Sequence, residues 1–276
     1  MKRLLTAAIG VPLVLAAVFL THNWWWFAIM AVVVELAVFE YVQICRPQAP
    51  RAPLRLLLVL APAAAFALSY ALSAETAPGA LRLYLLGGAL LLSVGLGTLI
   101  LFSRTPLEEA LPALGIFGFG IPYFAVSLSS LHLIQGIDPW VIILLLAIVW
   151  LGDTAAYYVG SRIGRHKLAP VISPKKSWEG AVASFVVAVV AAAVWDYYRR
   201  GALEPGLLTA AALTAVAAQI GDLVESMIKR SSGVKDSGNL LPGHGGMFDR
   251  IDALVFAAPV LLFSLWVFGI GSPGQP

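Results

Sequence analysis

Charge is what this chain has least of. Asp, Glu, Lys and Arg make up 12% of its 276 residues against 60% hydrophobic, and the mean hydropathy is +0.88. That balance excludes an ordinary soluble domain, in which about a quarter of the residues are charged. Cysteine is nearly absent too: the single thiol, Cys45, excludes an intramolecular disulfide and any cysteine-based metal cluster. Cys45 falls at a predicted helix end, where a plain thiol is the ordinary reading and palmitoylation the alternative. Alternating segments of about ten residues, the mark of a membrane β-barrel, are missing. No small-residue cleavage site follows the apolar run after Lys2 and Arg3, so the first helix is expected to be retained.

What is present instead is a succession of apolar runs, each long enough for a transmembrane helix of roughly 20 residues. Nine are predicted, at about 4–20, 24–44, 54–73, 81–102, 112–132, 138–161, 180–197, 207–228 and 252–270. Gly115, Gly118, Gly120 and Pro122 interrupt the fifth, although both residue types are commoner in membrane helices than in soluble ones. Trp24, Trp25 and Trp26 read as an interfacial belt. The expected fold is all-α and polytopic. Residues 1–137 would form about five N-terminal helices, and residues 138–276 a catalytic region with loops at 162–179 and 229–251.

With nine crossings, fifteen of the eighteen Lys and Arg residues fall on one side, leaving only Arg82, Arg199 and Arg200 on the other. Such a bias assigns the N-terminus and both charge-rich loops to the cytoplasm and the tail GSPGQP to the outside.

The scarce charge is concentrated. Residues 226–252 hold eight ionisable side chains in 27 residues: Lys229, Arg230, Lys235, Asp236, His244, Asp249, Arg250 and Asp252. Just before them, Asp222 and Glu225 share a helix face by their i,i+3 spacing. Ionisable groups inside a span are costly and usually functional. Two carboxylates near a membrane surface suit Mg²⁺, a hard cation that takes oxygen ligands and keeps water or phosphate oxygens. The structural alternative is pairing with Lys or Arg of neighbouring helices.

Asp249 and Asp252 open the last span as DRID. A carboxylate at a helix N-terminus caps it, but one suffices, so a ligand role is expected for at least Asp249. Between the two groups, Pro242-Gly243-His244-Gly245-Gly246 reads as a tight turn whose backbone N–H groups can approach an anion. In the earlier loop, Ser173-Pro174-Lys175-Lys176-Ser177-Trp178-Glu179-Gly180 offers two cations beside Ser177 and Glu179. They read either as membrane-edge anchors or as a clamp for a triphosphate or lipid phosphate. Asp153 lies nine residues before Arg162, roughly 13 Å below the cytoplasmic end of a helix. Glu35 and Glu40 in the second span are expected to be structural.

These residues resemble a known family. Ser226, Lys229-Arg230, Lys235-Asp236, His244-Gly245-Gly246, Asp249-Arg250 and Asp252 fall at the spacing of the CDP-diacylglycerol synthase (phosphatidate cytidylyltransferase) signature. The likeness extends to Asp153-Thr154 with Tyr157 and Gly160, to SPKKSWEG and to KRLLTAAIGVPLVL; residues 45–130 match in hydropathy alone.

The resemblance implies a Mg²⁺-dependent membrane enzyme, working as a homodimer, that converts CTP and phosphatidate to CDP-diacylglycerol and pyrophosphate for phospholipid biosynthesis. It implies Asp222 and Asp249 as metal carboxylates, with Glu225 beside them and a monovalent cation such as K⁺ as an associate. Catalytic roles are expected for Lys229, Arg230, Lys235, Asp236, His244, Arg250 and Asp252. Substrate contacts are expected from Asp153, Ser173, Lys175, Lys176, Ser177, Glu179, Gly245 and Gly246.

Two other readings stand beside this one. A CTP-dependent polyprenol or phytol kinase would release CDP, but the full KR, KD, HGG and DRID array argues against it. A transporter using Asp153, Asp222 and Glu225 would show an internal repeat with broken helices, and none is visible. The short, Ala/Leu-rich chain favours a bacterial inner membrane over an organellar one.

Overall fold

The computed structural model describes residues 2–20, 23–45, 63–64, 107–238 and 245–270. Helix α1 spans Lys2–Leu20 and α2 spans Asn23–Ile44, followed by α3 over Leu107–Ile137 and α4 over Pro139–Ile163. A two-stranded hairpin, β1 (Lys167–Ala169) and β2 (Ser173–Ser177), leads into α5 (Trp178–Arg200). Then come α6 (Pro205–Ser231) and α7 (Phe248–Val267). Six of the described helices are long and apolar enough to cross a membrane, consistent with a polytopic membrane protein. The spans expected at 54–73 and 81–102 lie outside the described residues, apart from 63 and 64.

The helices start and stop for local reasons. Asp138 caps α4 by accepting from Trp140 N at 2.9 Å, with Pro139 in the first turn. Ser177 caps α5 through Gly180 N, and Gly201 ends it in the left-handed region at φ 70°. The fifth expected span emerges longer than 112–132. Pro112 and Pro122 lie within the continuous α3, as proline can in a membrane helix whose neighbours satisfy the freed carbonyls.

Among the described residues, the hairpin departs from the all-α expectation. Where a loop was expected at 162–179, β1 and β2 pair antiparallel with Lys167 opposite Ser177 and Ala169 opposite Ser173. The register shift between those pairs is a bulge, and a further bond, Trp178 N to His166 O at 2.9 Å, closes the base of the hairpin. Glu179 fixes that base by accepting from the backbone N–H groups of Arg165 and His166 at 3.1 and 3.2 Å, and its Oε1 lies 2.8 Å from His166 Nδ1.

Two packed cores run through the bundle. One joins Leu144, Leu145 and Ile148 of α4 to Ala188, Ala192, Leu207, Ala211, Ala257 and Leu261. The other joins Val38 and Tyr41 of α2 to Phe124 and Leu128 of α3 and Phe248 of α7. Alanine-rich faces on α5 and α6 let these helices approach closely. The antiparallel pair α2–α3 is stitched at both ends, by Trp26 Nε1 donating to Leu131 O at 3.1 Å and Tyr41 Oη donating to Ile116 O at 2.9 Å.

At the end of the bundle away from the hairpin, buried Asp196 takes Arg200 Nε at 2.5 Å and Glu204 N at 2.7 Å, fixing the turn from α5 to α6. Replacing Asp196 with Ala leaves the Glu204 N–H unpaired and removes one of the two carboxylates that Arg200 bonds. It should cost about 1–3 kcal/mol of stability, read as a lower thermal midpoint in detergent, with the chemistry at the opposite end unaffected.

Candidate active site

The ends of α4, α6 and α7 that carry the singled-out carboxylates meet beside the hairpin. On α6, Asp222, Glu225 and Lys229 follow at spacings of three and four, so they line one face and Lys229 Nζ reaches Glu225 Oε2 at 2.7 Å. The same ammonium reaches across to α7, 2.6 Å from Asp249 Oδ1. All three groups are sequestered: the side chains of Glu225, Asp249 and Lys229 are 0%, 8% and 12% exposed. Lys229 is therefore the shared counter-ion of two helices, and removing it would leave two buried carboxylates uncompensated.

The second oxygen of Asp249 is held by the backbone, accepting from Ser237 N and Gly246 N at 2.9 Å each. Gly245 makes this possible. Its φ is 78°, in the left-handed region, and a Cβ there would lie 2.6 Å from Asp249 Oδ2.

Asp222, Glu225 and Asp252 form a carboxylate group whose chosen oxygens lie within 4.8 Å of one another. Close helix packing brings them together, because Gly221 puts its backbone against α7: a Cβ there would sit 2.7 Å from Asp252 O and 3.0 Å from Phe256 Cβ. Asp252 Oδ1 accepts from Ala253 N at 2.8 Å. Glu225 Oε1 is buried and accepts no hydrogen bond among the described residues. A compact set of oxygen donors with an unsatisfied buried oxygen suits a hard divalent cation such as Mg²⁺.

The hairpin supplies the nearest cation, Lys176, whose Nζ lies 2.5 Å from Asp222 Oδ2. Asp153 of α4 is within electrostatic reach of Asp222, Lys176 and Arg250.

Not every singled-out residue joins this group. Arg230 is exposed and donates to Val234 O at 3.1 Å, closing the turn after α6, and Lys235 and Asp236 are exposed beyond it. Lys175 and Arg250 are exposed, and Ser173 lies in β2. Ser177 is buried as the α5 cap, and Glu179 is engaged at the base of the hairpin. His244 lies outside the described residues.

Two neighbours of the site were not singled out as functional in the sequence. Tyr123 of α3 is buried, its hydroxyl has no hydrogen-bond partner among the described residues, and it lies within electrostatic reach of Asp252, Glu225 and Asp222. Glu40 of α2 accepts from Phe248 N at the start of α7. A tyrosine beside Pro122 and a glutamate in an apolar helix carry no local pattern that would mark them.

A membrane-helix bundle with carboxylates, lysines and a glycine turn gathered at one end defines the class. The chain belongs to the cytidylyltransferase family, whose model it matches over residues 1–268. It is 43% identical over 153 residues to a phosphatidate cytidylyltransferase of Brucella suis, a match covering 54% of this chain and 55% of that protein. Proteins of the same name from Pseudomonas aeruginosa (46% over 135 residues; 48% of this chain and 49% of that protein) and Bacillus subtilis (43% over 122 residues; 44% and 45%) are also similar. The chain thus spans about half the length of the curated relatives it matches.

Gly221→Val should wedge α6 from α7 and scatter the carboxylates. Turnover should fall by about 100-fold or more while the protein still inserts and purifies as a folded species, measured by initial rates and elution profile.

Proposed function

We propose that this protein transfers the cytidylyl group of CTP to phosphatidate, giving CDP-diacylglycerol and pyrophosphate. The observation that carries the reading is the carboxylate group Asp222, Glu225 and Asp252 with Lys176 and Lys229 bonded at its edge, in a chain of this family. The names of the relatives supply the substrates.

A phosphate oxygen of phosphatidate attacks the α-phosphorus of CTP and pyrophosphate leaves. A phosphomonoester has a second pKa of about 6, so the attacking oxygen is already largely ionised at neutral pH and no strong general base is required. Positioning and charge neutralisation carry the work. Lys176 and Lys229, bonded to carboxylates in the resting arrangement, are placed to turn to phosphate oxygens; Arg250, exposed at the rim and within electrostatic reach of Asp153, adds a cation from outside the group. Mg²⁺, held by Asp222 with Glu225, Asp252 and Asp249, would supply charge stabilisation on the triphosphate and the departing pyrophosphate. Asp222 is common to the geometric group and to the pair implied by the family resemblance. Asp249 enters by that resemblance and by its link to Glu225 through Lys229.

With nine crossings, the bias of fifteen positive side chains to one side supports a cytoplasmic site, open to nucleotide from the cytosol and to lipid from the inner leaflet. Assembly as a homodimer and a monovalent cation beside Mg²⁺ rest on the resemblance.

The test is a product assay on detergent-purified protein with labelled CTP, phosphatidate and Mg²⁺, with and without EDTA. Equimolar CDP-diacylglycerol and pyrophosphate, abolished by EDTA, is the expected result; release of CDP with a phosphorylated isoprenoid alcohol would replace the reading with the kinase. Asp222→Asn should abolish turnover. Asp252→Asn and Glu225→Gln should raise the Mg²⁺ concentration needed for half-maximal rate. If Asp249→Asn shows the same displaced Mg²⁺ requirement it is a ligand; a lowered kcat at an unchanged requirement would assign it to holding Lys229.

A further inference from the structure

Helix α7 begins with an unusual deficit. Met247 stands at its N-cap in the helical conformation and makes no side-chain cap, so the first N–H groups depend on other parts of the chain. Those acceptors come from two distant residues. Phe248 N donates to Glu40 Oε2 at 2.9 Å, from a helix 208 residues earlier in sequence. Asp249 N donates to Ser237 Oγ at 3.3 Å, and that hydroxyl in turn donates to the same Glu40 Oε2 at 2.7 Å.

The fit around the carboxylate is tight. Glu40 is 6% exposed. A Cβ on Gly238 would lie 2.7 Å from its Oε1, and one on Gly246 would collide with both Glu40 and the Ser237 hydroxyl. The two glycines lie on either side of residues 239–244, so one carboxylate receives both flanks of that segment.

We infer that Glu40 is the positioning residue of the active site. It caps α7 from α2, holds Ser237 by hydrogen bond and packs against Gly246, so that their N–H groups fix Asp249. The chemistry explains the choice of side chain. A carboxylate accepts from two donors at once, and its charge is favourable at a helix N-terminus. The consequence runs inward in steps already described: Glu40 holds Ser237 and Phe248, Ser237 N and Gly246 N hold Asp249, Asp249 holds Lys229, and Lys229 holds Glu225. Glu40 touches neither substrate nor metal in this scheme. Its link to turnover rests on the function proposed above; its link to Ser237 and Phe248 does not.

The experiment therefore has two readouts on full-length protein in detergent. Amide hydrogen exchange follows peptides covering Ser237–Gly238 and Gly245–Arg250, with peptides from α4 and α5 as internal reference. Initial rates with CTP and phosphatidate give kcat and KM. Glu40→Ala should raise exchange at those two segments by about tenfold, the size of one lost hydrogen bond, while α4 and α5 exchange at the wild-type rate. Its kcat should fall by about tenfold or more. Glu40→Gln, whose carbonyl oxygen can still accept from both donors, should recover protection and much of kcat. Ser237→Ala, which keeps Glu40 but breaks the relay, should loosen the Gly245–Arg250 peptide and leave α2 unaffected.

Wild-type exchange at both segments in Glu40→Ala would overturn the inference, as would a rise in exchange spread equally over α4 and α5. If Glu40→Ala does not accumulate as folded protein, Glu40→Gln and Ser237→Ala carry the same test: protection retained in the first and lost locally in the second supports the latch, and the reverse sinks it. A wild-type protein without cytidylyltransferase activity would remove the proposed function, and the exchange pattern would still decide the latch.

Discussion

One ammonium group shared by two helices organises this protein. Lys229 Nζ lies 2.7 Å from Glu225 and 2.6 Å from Asp249, so one buried ammonium ties the carboxylates of α6 and α7 together. Such an arrangement constrains everything near it. The α6 and α7 backbones must approach closely, which is why Gly221 abuts Asp252 O. The segment before α7 must turn back on itself, which Gly245 allows at φ 78°. A second cation must balance Asp222, and the hairpin delivers Lys176 to it. The concentration of charge that is so conspicuous in the sequence is, in three dimensions, a cluster in which two lysines are shared among four carboxylates.

That excess of carboxylates bears on function. Carboxylates bonded to lysines are poised to exchange partners, because a phosphate ligand and a divalent cation together offer each group a better counter-charge than it has in the protein alone. On the proposed function, a lipid substrate need not leave the bilayer to reach such a site, since Asp222 and Glu225 lie about two and a half helical turns or fewer from the end of α6. The outward faces of α4 and α5, carrying Trp150, Leu151, Tyr157, Val182 and Val186, are apolar and exposed, as an embedded bundle requires.

The two halves of the chain contribute differently. The C-terminal half, from α4 onward, supplies nearly every group with chemistry in it. The N-terminal helices supply support: α2 brings Glu40 to the start of α7, and α3 brings Tyr123 beside the acidic group. The relatives match only about half of this chain, while the family model runs from residue 1 to 268.

Among the described residues, the helices, their order and the clustering of charge were set by the sequence alone, because each depends on hydropathy and spacing within a few turns. The i,i+3 pair Asp222 and Glu225 shares a face as its spacing dictates, and caps such as Asp138 and Ser177 act on residues two or three positions away. The strand pairing within 162–179 was not legible, since a bulged hairpin of three and five residues has too few positions to show a period. Nor were the partners of the charged groups. Asp252 joining Asp222 and Glu225, Lys176 reaching Asp222, and Glu40 reaching Phe248 across 208 residues depend on how helices rotate and how near they come. Only the folded bundle decides those, because side-chain contact between distant segments is fixed by packing, and packing has no local signature in a chain that is apolar almost everywhere.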